Sequence, residues 1–555
     1  MTKSALLAAT ALLLATPCIL SVSKDAHAQR AGTTTTTKDT TDSKAKHADA
    51  MVQDAESAWV RPPVDEHTAV SHGTVATAHA GTIGYTATAG TLTIRDEEAQ
   101  PIASIFYTAY TADGASRARR PVTFFYNGGP GSSTIWLRMG SFGPMRVGSQ
   151  NPEYVHPAPY AFGPNPQTLL DKTDLVFIDM VGTGWSRPLG DKTGKDFWGV
   201  DQDADAFARA IQRYITKTGR WTSPKFLFGE SYGTLRSGVV AAMLEQRGTS
   251  LNGVVLLSTI LNYGIEQSGY DQNNITFLPS YAATAWYHNR VPNRPADVNA
   301  FVAAARAFAV GPYAAALAKG GAIDPVEMDL VARQMSAFTG LSVEYIKRAD
   351  LRVDLSHFMA ELLRDQRRSV GRLDSRYTLS VTDANNSGPD DDPAGTAVAG
   401  AYAASFHDYV ANTLGYKTDM PYRISAYALP GFDWDWKHRT PGRDGERQIA
   451  PNTGVDLAFT MRTNPYLKVI ALNGYYDMAT PFFGTEYDVA HLGLAPDLRR
   501  NISFKYYQSG HMIYLNPTEL AHLHDDLSTW YDSTVGASEA LAPPRATRSG
   551  RGRGR

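Results

Sequence analysis

The apolar run Phe226-Leu227-Phe228 leads directly into Gly229-Glu230-Ser231-Tyr232-Gly233, and helical spacing begins at about Leu235. A serine between two glycines on a sharp strand-to-helix turn has its hydroxyl exposed at a helix N-terminus, because a Cβ on either side would clash. G-x-S-x-G alone arises by chance in glycine-rich loops. The strand before it and the helix after it are what mark Ser231 as a nucleophile. A serine hydroxyl is inert without a base to take its proton and an acid to orient that base. Both follow later in the chain, each on a loop after an apolar run: Asp477 after residues 467–472, and His511 after Ile502–Tyr507. Taken singly, Asp477 could be a turn residue and His511 one of fourteen histidines. Their order after the serine and their matching positions point to a triad.

The oxyanion formed by attack on a carbonyl needs backbone donors. Asn127-Gly128-Gly129-Pro130-Gly131 follows the run Val122–Tyr126, so the N–H of Gly129 can pair with that of Tyr232 as the donor couple. The same turn could be an ordinary tight turn. A phosphate loop is disfavoured, because no Lys-Ser or Lys-Thr ends it. Metal frames are weak. Asp383-x-Asn385-x-Ser387-Gly388 starts like a calcium loop but has Ala394 at the twelfth position. His522-Leu523-His524-Asp525 lacks zinc spacing and reads as helix surface, so the expectation is no metal and no cofactor.

These residues need a scaffold that brings three distant loops together. Short continuous apolar runs at 122–126, 175–178, 226–228, 253–257 and 467–472 read as buried parallel strands. Helical stretches at 203–216 and 235–245 alternate with them, which predicts a doubly wound, mostly parallel α/β sheet. An antiparallel hairpin region is expected over 67–111, with its β-branched alternation and glycine turns. From 265 to 447 the alternation gives way to helical patterns at 298–318, 324–338 and 355–368, predicting an inserted helical cap.

The chain of 555 residues carries 53 Lys and Arg against 55 Asp and Glu, a net charge of −2 that offers no field for nucleic acid or an anionic membrane. Lys3, the apolar run to Val22 and Ala26-His27-Ala28 read as a secretory signal peptide cleaved after Ala28, with Pro17 interrupting the run against a membrane anchor. No later segment is expected to cross a bilayer. The only cysteine, Cys18, leaves with the leader, which excludes disulfides, thiolate metal sites and a cysteine nucleophile in the mature chain. The expected organisation is 1–28 signal peptide, 29–63 disordered linker, 64–264 with 448–535 catalytic core, 265–447 helical cap, and 536–555 disordered basic tail.

Asn127-Gly128-Gly129-Pro130-Gly131-Ser132-Ser133, Gly229-Glu230-Ser231-Tyr232-Gly233, Gly510-His511-Met512 and the stretch from Asp179 to Ser186 together resemble the serine carboxypeptidase family, peptidase family S10, nearest to its bacterial branch. The resemblance runs from about Ser71 to Tyr531 and implies an α/β-hydrolase fold. It also implies that Asn127 and Glu230 bind the free C-terminal carboxylate of a peptide, sharing one proton, so that Glu230 has a raised pKa. Ser132 stands where many eukaryotic members have cysteine. His511 is followed by Met512-Ile513-Tyr514-Leu515 rather than the common Met-Val-Pro, so the pocket for the departing residue, for which Met512 and Thr480 are candidates, departs from the pattern. The expected activity is removal of C-terminal residues through an acyl-enzyme on Ser231, in a secreted or periplasmic protein acting on peptides. Two other readings share the sequence: an exported esterase or acyltransferase with the same triad, and a binding or protective partner protein with incidental catalysis.

Overall fold

The computed structural model describes residues 62–267, 269–442 and 445–540. The expected signal peptide, nearly all of the linker and the tail beyond 540 lie outside them. Its centre is a ten-stranded sheet. Nine strands follow one path: β1 (Thr68–Thr77), β2 (Gly81–Arg95), β3 (Pro101–Ala112), β4 (Val122–Tyr126), β5 (Asp174–Ile178), β6 (Lys225–Glu230), β7 (Gly253–Leu257), β8 (Lys468–Gly474) and β9 (Ile502–Tyr507). The spatial order is β1-β2-β3-β5-β4-β6-β7-β8-β9, and the short pair Arg187–Pro188 adds to β3. Pairing is antiparallel from β1 through β5 and parallel from β5 to β9. This is the doubly wound sheet that the alternating runs imply, in the α/β-hydrolase arrangement that the resemblance implies.

Every residue of β4, β5, β6 and β7 is buried, as strands covered on both faces must be. One face packs under α1 (Val200–Thr218) and α2 (Tyr232–Gln246), where Phe207, Ile211, Leu235 and Val239 meet Phe124, Leu227 and Val254. The other carries Phe125, Phe177, Phe228 and Val255 under α5 (Pro393–Asp408) and α8 (Pro517–Ala540). Helix α8 runs five residues past the expected core boundary at 535. Val535 still packs against the core there, and no proline interrupts the helix before Pro543.

The interval 265–447 is mainly helical, but its helices pack in two places. Helices α3 (Gln272–Tyr287) and α4 (Val298–Phe308) and the helices up to residue 361 form a separate apolar lobe, which closes on Tyr475, Tyr476, Met478, Phe482 and Phe483 around the loop after β8. From 371 onward the chain returns to the main body. Tyr377, α5, Leu414 and Tyr416 join the sheet's own core, and residues 423, 425 and 435 bridge to 184, 132 and 199. The helix expected over 355–368 ends at Glu361, and Arg368–Val370 is a strand. The continuous helical stretch Val298–Leu317 has the length and mean hydropathy, 1.5, of a membrane span, contrary to the expectation that no such segment follows the leader. Val298, Phe301, Val302 and Ala305 on it are buried within the lobe.

Candidate active site

Ser231 follows β6 and caps α2 with φ 61° and ψ −132°, a backbone region that non-glycine residues rarely occupy. The strain is held from both sides. Ser231 N–H donates to Leu257 O at 3.0 Å, while Ser231 O accepts from Thr234 N–H at 2.8 Å. A Cβ on Gly229 would overlap the Gly233 carbonyl, and one on Gly233 would lie 2.9 Å from Tyr126 O. The flanking glycines are therefore required by close approach, as the motif suggested. The first turn of α2 rests directly on the loop after β4, since a Cβ on Gly128 would strike the backbone nitrogens of Tyr232 and Gly233. Gly129, at φ 110°, follows in that loop. Neither its N–H nor that of Tyr232 has a backbone acceptor among the described residues. The expected donor couple is thus left free beside the serine.

Asp477 and His511 meet at the carboxyl ends of β8 and β9. His511 Nδ1 lies 2.8 Å from Asp477 Oδ2. The acid is fully buried and fixed by Ala479 N–H at 2.8 Å, Thr480 N–H at 3.0 Å and Thr480 Oγ1 at 2.7 Å. Ser231 Oγ makes no hydrogen bond among the described residues. Nucleophile–base contacts of this kind commonly tighten only when substrate binds. Burial of His511 works against its protonation, but the adjacent Asp477 carboxylate, with Glu230 adding to it, lifts its pKa above the ordinary histidine value.

Glu230 faces the same centre. It is 3% exposed, and burial raises its pKa to about 7 against the opposing pull of His511, Tyr514 and Asn127. Tyr514 donates its hydroxyl to Glu230 at 3.0 and 3.3 Å. Asn127 Oδ1 accepts from Leu137 N–H at 3.0 Å, which fixes the amide beside Glu230. Five residues of the candidate set therefore converge: Asn127, Glu230, Asp477, His511 and, through α2, Ser231. The two candidate pocket residues are both buried, each 5% exposed. Thr480 gives its hydroxyl to Asp477 and lies 3.3 Å from His511 Nδ1, so it props the acid. Met512 is buried in the apolar cluster with Tyr514. In the stretch 179–186, Asp179 accepts from Thr134 N–H at 2.8 Å and from the Tyr422 hydroxyl at 3.1 Å, bracing the loop that holds Gly129. Asp383 accepts from Asn385 N–H and its side-chain amide, a local Asx turn.

Sequence reasoning missed three parts of this site. Tyr514 lay in plain view as the departure after His511-Met512, with nothing to say that its hydroxyl reaches Glu230. Residues 372–376 lie within the expected cap yet run between the Asp477 and His511 loops: Arg372 O accepts from Met478 N–H at 3.0 Å, Leu373 O from His511 N–H at 2.6 Å, and Tyr476 O from Ser375 N–H at 2.9 Å. Asp374 pairs with Arg376 at 2.5 Å and takes Gly510 N–H at 3.1 Å. The third part is the Arg372 side chain. It is half-buried, has no hydrogen-bond or ion-pair partner among the described residues, and acts electrostatically on His511, Glu266, Tyr263 and Tyr427. No spacing pattern announces any of these, because each contact joins segments far apart in the chain.

The family profile of serine carboxypeptidases matches residues 80–281, a span that carries Asn127–Gly131 and Ser231 and stops before Asp477 and His511. Among solved structures, the prohormone-processing carboxypeptidase Kex1(delta)p from Saccharomyces cerevisiae is similar at 15% identity, covering 83% of this chain and 92% of that one, with a TM-score of 0.48. Proline iminopeptidase from Mycobacterium smegmatis is similar at 14% identity, covering 81% and 99%, with a TM-score of 0.34. A soluble variant of monoglyceride lipase from Saccharomyces cerevisiae is similar at 12% identity, covering 78% and 92%, with a TM-score of 0.33. A search of curated protein sequences finds no match.

Proposed function

We propose that this protein is an exported serine carboxypeptidase of the S10 family, of the disulfide-free bacterial kind. Ser231 Oγ attacks the last peptide carbonyl, and His511 takes its proton while Asp477 holds the imidazole at Nδ1. The N–H groups of Gly129 and Tyr232 receive the oxyanion. His511 then protonates the departing amine, and water, activated by the same base, releases the acyl-enzyme. The observation that carries the peptidase reading is Glu230: a buried acid beside the triad, protonated below about pH 7, with Tyr514 and Asn127 around it. A protonated carboxyl there donates to the carboxylate of a free C-terminus, whereas two ionised carboxylates would repel. Ester hydrolysis has no use for such a group.

The same reading gives Arg372 a task. An unpaired guanidinium flanking His511 favours substrates with an acidic side chain next to the scissile bond. The lobe of residues 272–361 abuts the Asp477 loop and governs access. Digestion of a free-acid peptide library followed by mass spectrometry tests the whole reading. Sequential loss of single C-terminal residues supports it. Internal cleavage, or hydrolysis of esters alone, rejects it. Export is tested by N-terminal sequencing of the mature protein, which should start at Gln29.

A further inference from the structure

On the other end of the molecule, the turn between β1 and β2 meets α8. His79 from the turn, with His524 and Asp525 from the helix, brings three ligand-type atoms within 4.8 Å of one another. His79 Nε2 lies 2.9 Å from Asp525 Oδ1, and His524 Nδ1 lies 3.5 Å from the same oxygen. Four donors about 2.0–2.1 Å from a tetrahedral zinc ion stand about 3.3 Å apart, a value these two edges bracket. The two imidazole centroids are 5.2 Å apart. Their planes are 13° from parallel.

The remaining nitrogen of the buried histidine is also engaged. His524 Nε2 lies 3.2 Å from Asp171 Oδ1, and both side chains are almost fully buried. A carboxylate on the far ring nitrogen fixes the tautomer and leaves the other lone pair for a metal. With a proton on Nε2 donated to Asp171, the lone pair of Nδ1 would face His79 and Asp525. His79 and Asp525 are both more than half exposed, which leaves solvent access and open coordination positions. By sequence, His522-Leu523-His524-Asp525 lacks zinc spacing and reads as helix surface. In fact His524 is buried, and the third ligand comes from a turn near the other end of the described chain. Asp171 precedes the amino end of β5, while Ser231 follows the carboxyl end of β6, so the cluster and the triad lie at opposite ends of the sheet.

We propose that His79, His524 and Asp525 form a zinc site, with Asp171 as the orienting carboxylate, that ties the β1–β2 turn to the C-terminal helix. Tag-free protein stripped with chelator is titrated with Zn2+ by calorimetry and with Co2+ by absorption spectroscopy. Wild type should bind one equivalent more than His79→Ala, and Zn2+ should raise its melting temperature by a few degrees while leaving that of the variant unchanged. Co2+ should give the intense visible bands of a tetrahedral site, absent in His79→Ala. His522→Ala, on the exposed side of the same helix, should bind as wild type does. His79 is an exposed turn residue, so the variant should match metal-free wild type in circular dichroism and in peptide hydrolysis. Equal binding by wild type and His79→Ala, or no binding by either, overturns the site.

Discussion

If the protein acts as proposed, the Glu230 carboxyl makes a quantitative demand on the pH dependence of its activity. Its raised pKa, about 7, means that it is protonated below that value and ionised above it. Under the proposed function, recognition of a free C-terminus should therefore be present at pH 6 and fade as the pH passes 7. A single group of that pKa is about 0.9 protonated at pH 6 and about 0.03 protonated at pH 8.5, so the carboxylate-dependent part of kcat/KM should fall about 30-fold over that range. His511 must be neutral to act as base and imposes a limb of opposite sign, common to all substrates. The informative quantity is therefore the ratio of kcat/KM for a free-acid peptide to that for the same peptide with a C-terminal amide. That ratio cancels the histidine. It should drop about 30-fold between pH 6 and 8.5 in wild type and stay flat in Glu230→Gln, whose amide still donates a hydrogen bond. A wild-type ratio that does not move with pH, or one that moves equally in Glu230→Gln, removes Glu230 from substrate recognition.

Replacing Ser231 by Ala should lower kcat by at least about 10^4-fold without unfolding the protein, and a fluorophosphonate should label Ser231 alone in wild type. Labelling of a different serine would move the nucleophile elsewhere. Arg372→Ala should cost roughly 10–100-fold in kcat/KM for peptides with Glu or Asp next to the cleaved bond and leave leucine peptides unchanged, the worth of one charge-assisted hydrogen bond. Peptides varied at the last and the penultimate position separately show which side chain it meets, and an equal loss for acidic and apolar peptides assigns Arg372 to the scaffold instead. Arg236 is buried against Asp203 at 2.6 Å and donates to Asn127 O at 2.7 Å. Arg236→Ala should destabilise by about 3–5 kcal/mol in urea unfolding, and a loss under 1 kcal/mol would mean that the pair contributes little.

What could be read from the sequence was what neighbouring residues determine. The strands announced themselves because burial on both faces demands unbroken apolar runs, and Gly229 and Gly233 marked the elbow because close backbone contact admits nothing larger. Asp477 and His511 were legible because each follows such a run. The failures share one physical origin. The bond from Thr480 to Asp477 was not foreseen, since side-chain direction on a loop depends on what packs around it. The strip 372–376 and the hydroxyl of Tyr514 act through contacts across more than a hundred residues, which no local period encodes. The boundary of the insertion blurred for the same reason. Helical periodicity continues through α5, and only its packing shows that this helix serves the sheet.

The strip between the Asp477 and His511 loops bears on how this chain can be rebuilt. Its carbonyls accept the backbone N–H groups of Met478 and His511, and Asp374 accepts that of Gly510. A chimera that exchanges the whole interval 265–447 would thus remove a structural rib from the catalytic loops along with the cover. The exchangeable cassette is shorter, with its seams after residue 264 and before Arg368, so that Ser258, whose hydroxyl donates to His511 O at 2.6 Å, and the paired strands 368–370 and 378–380 stay with the recipient. A graft cut there should transfer access and selectivity while keeping the catalytic loops braced, whereas one cut at 447 should deliver a folded sheet with a slack acid and base.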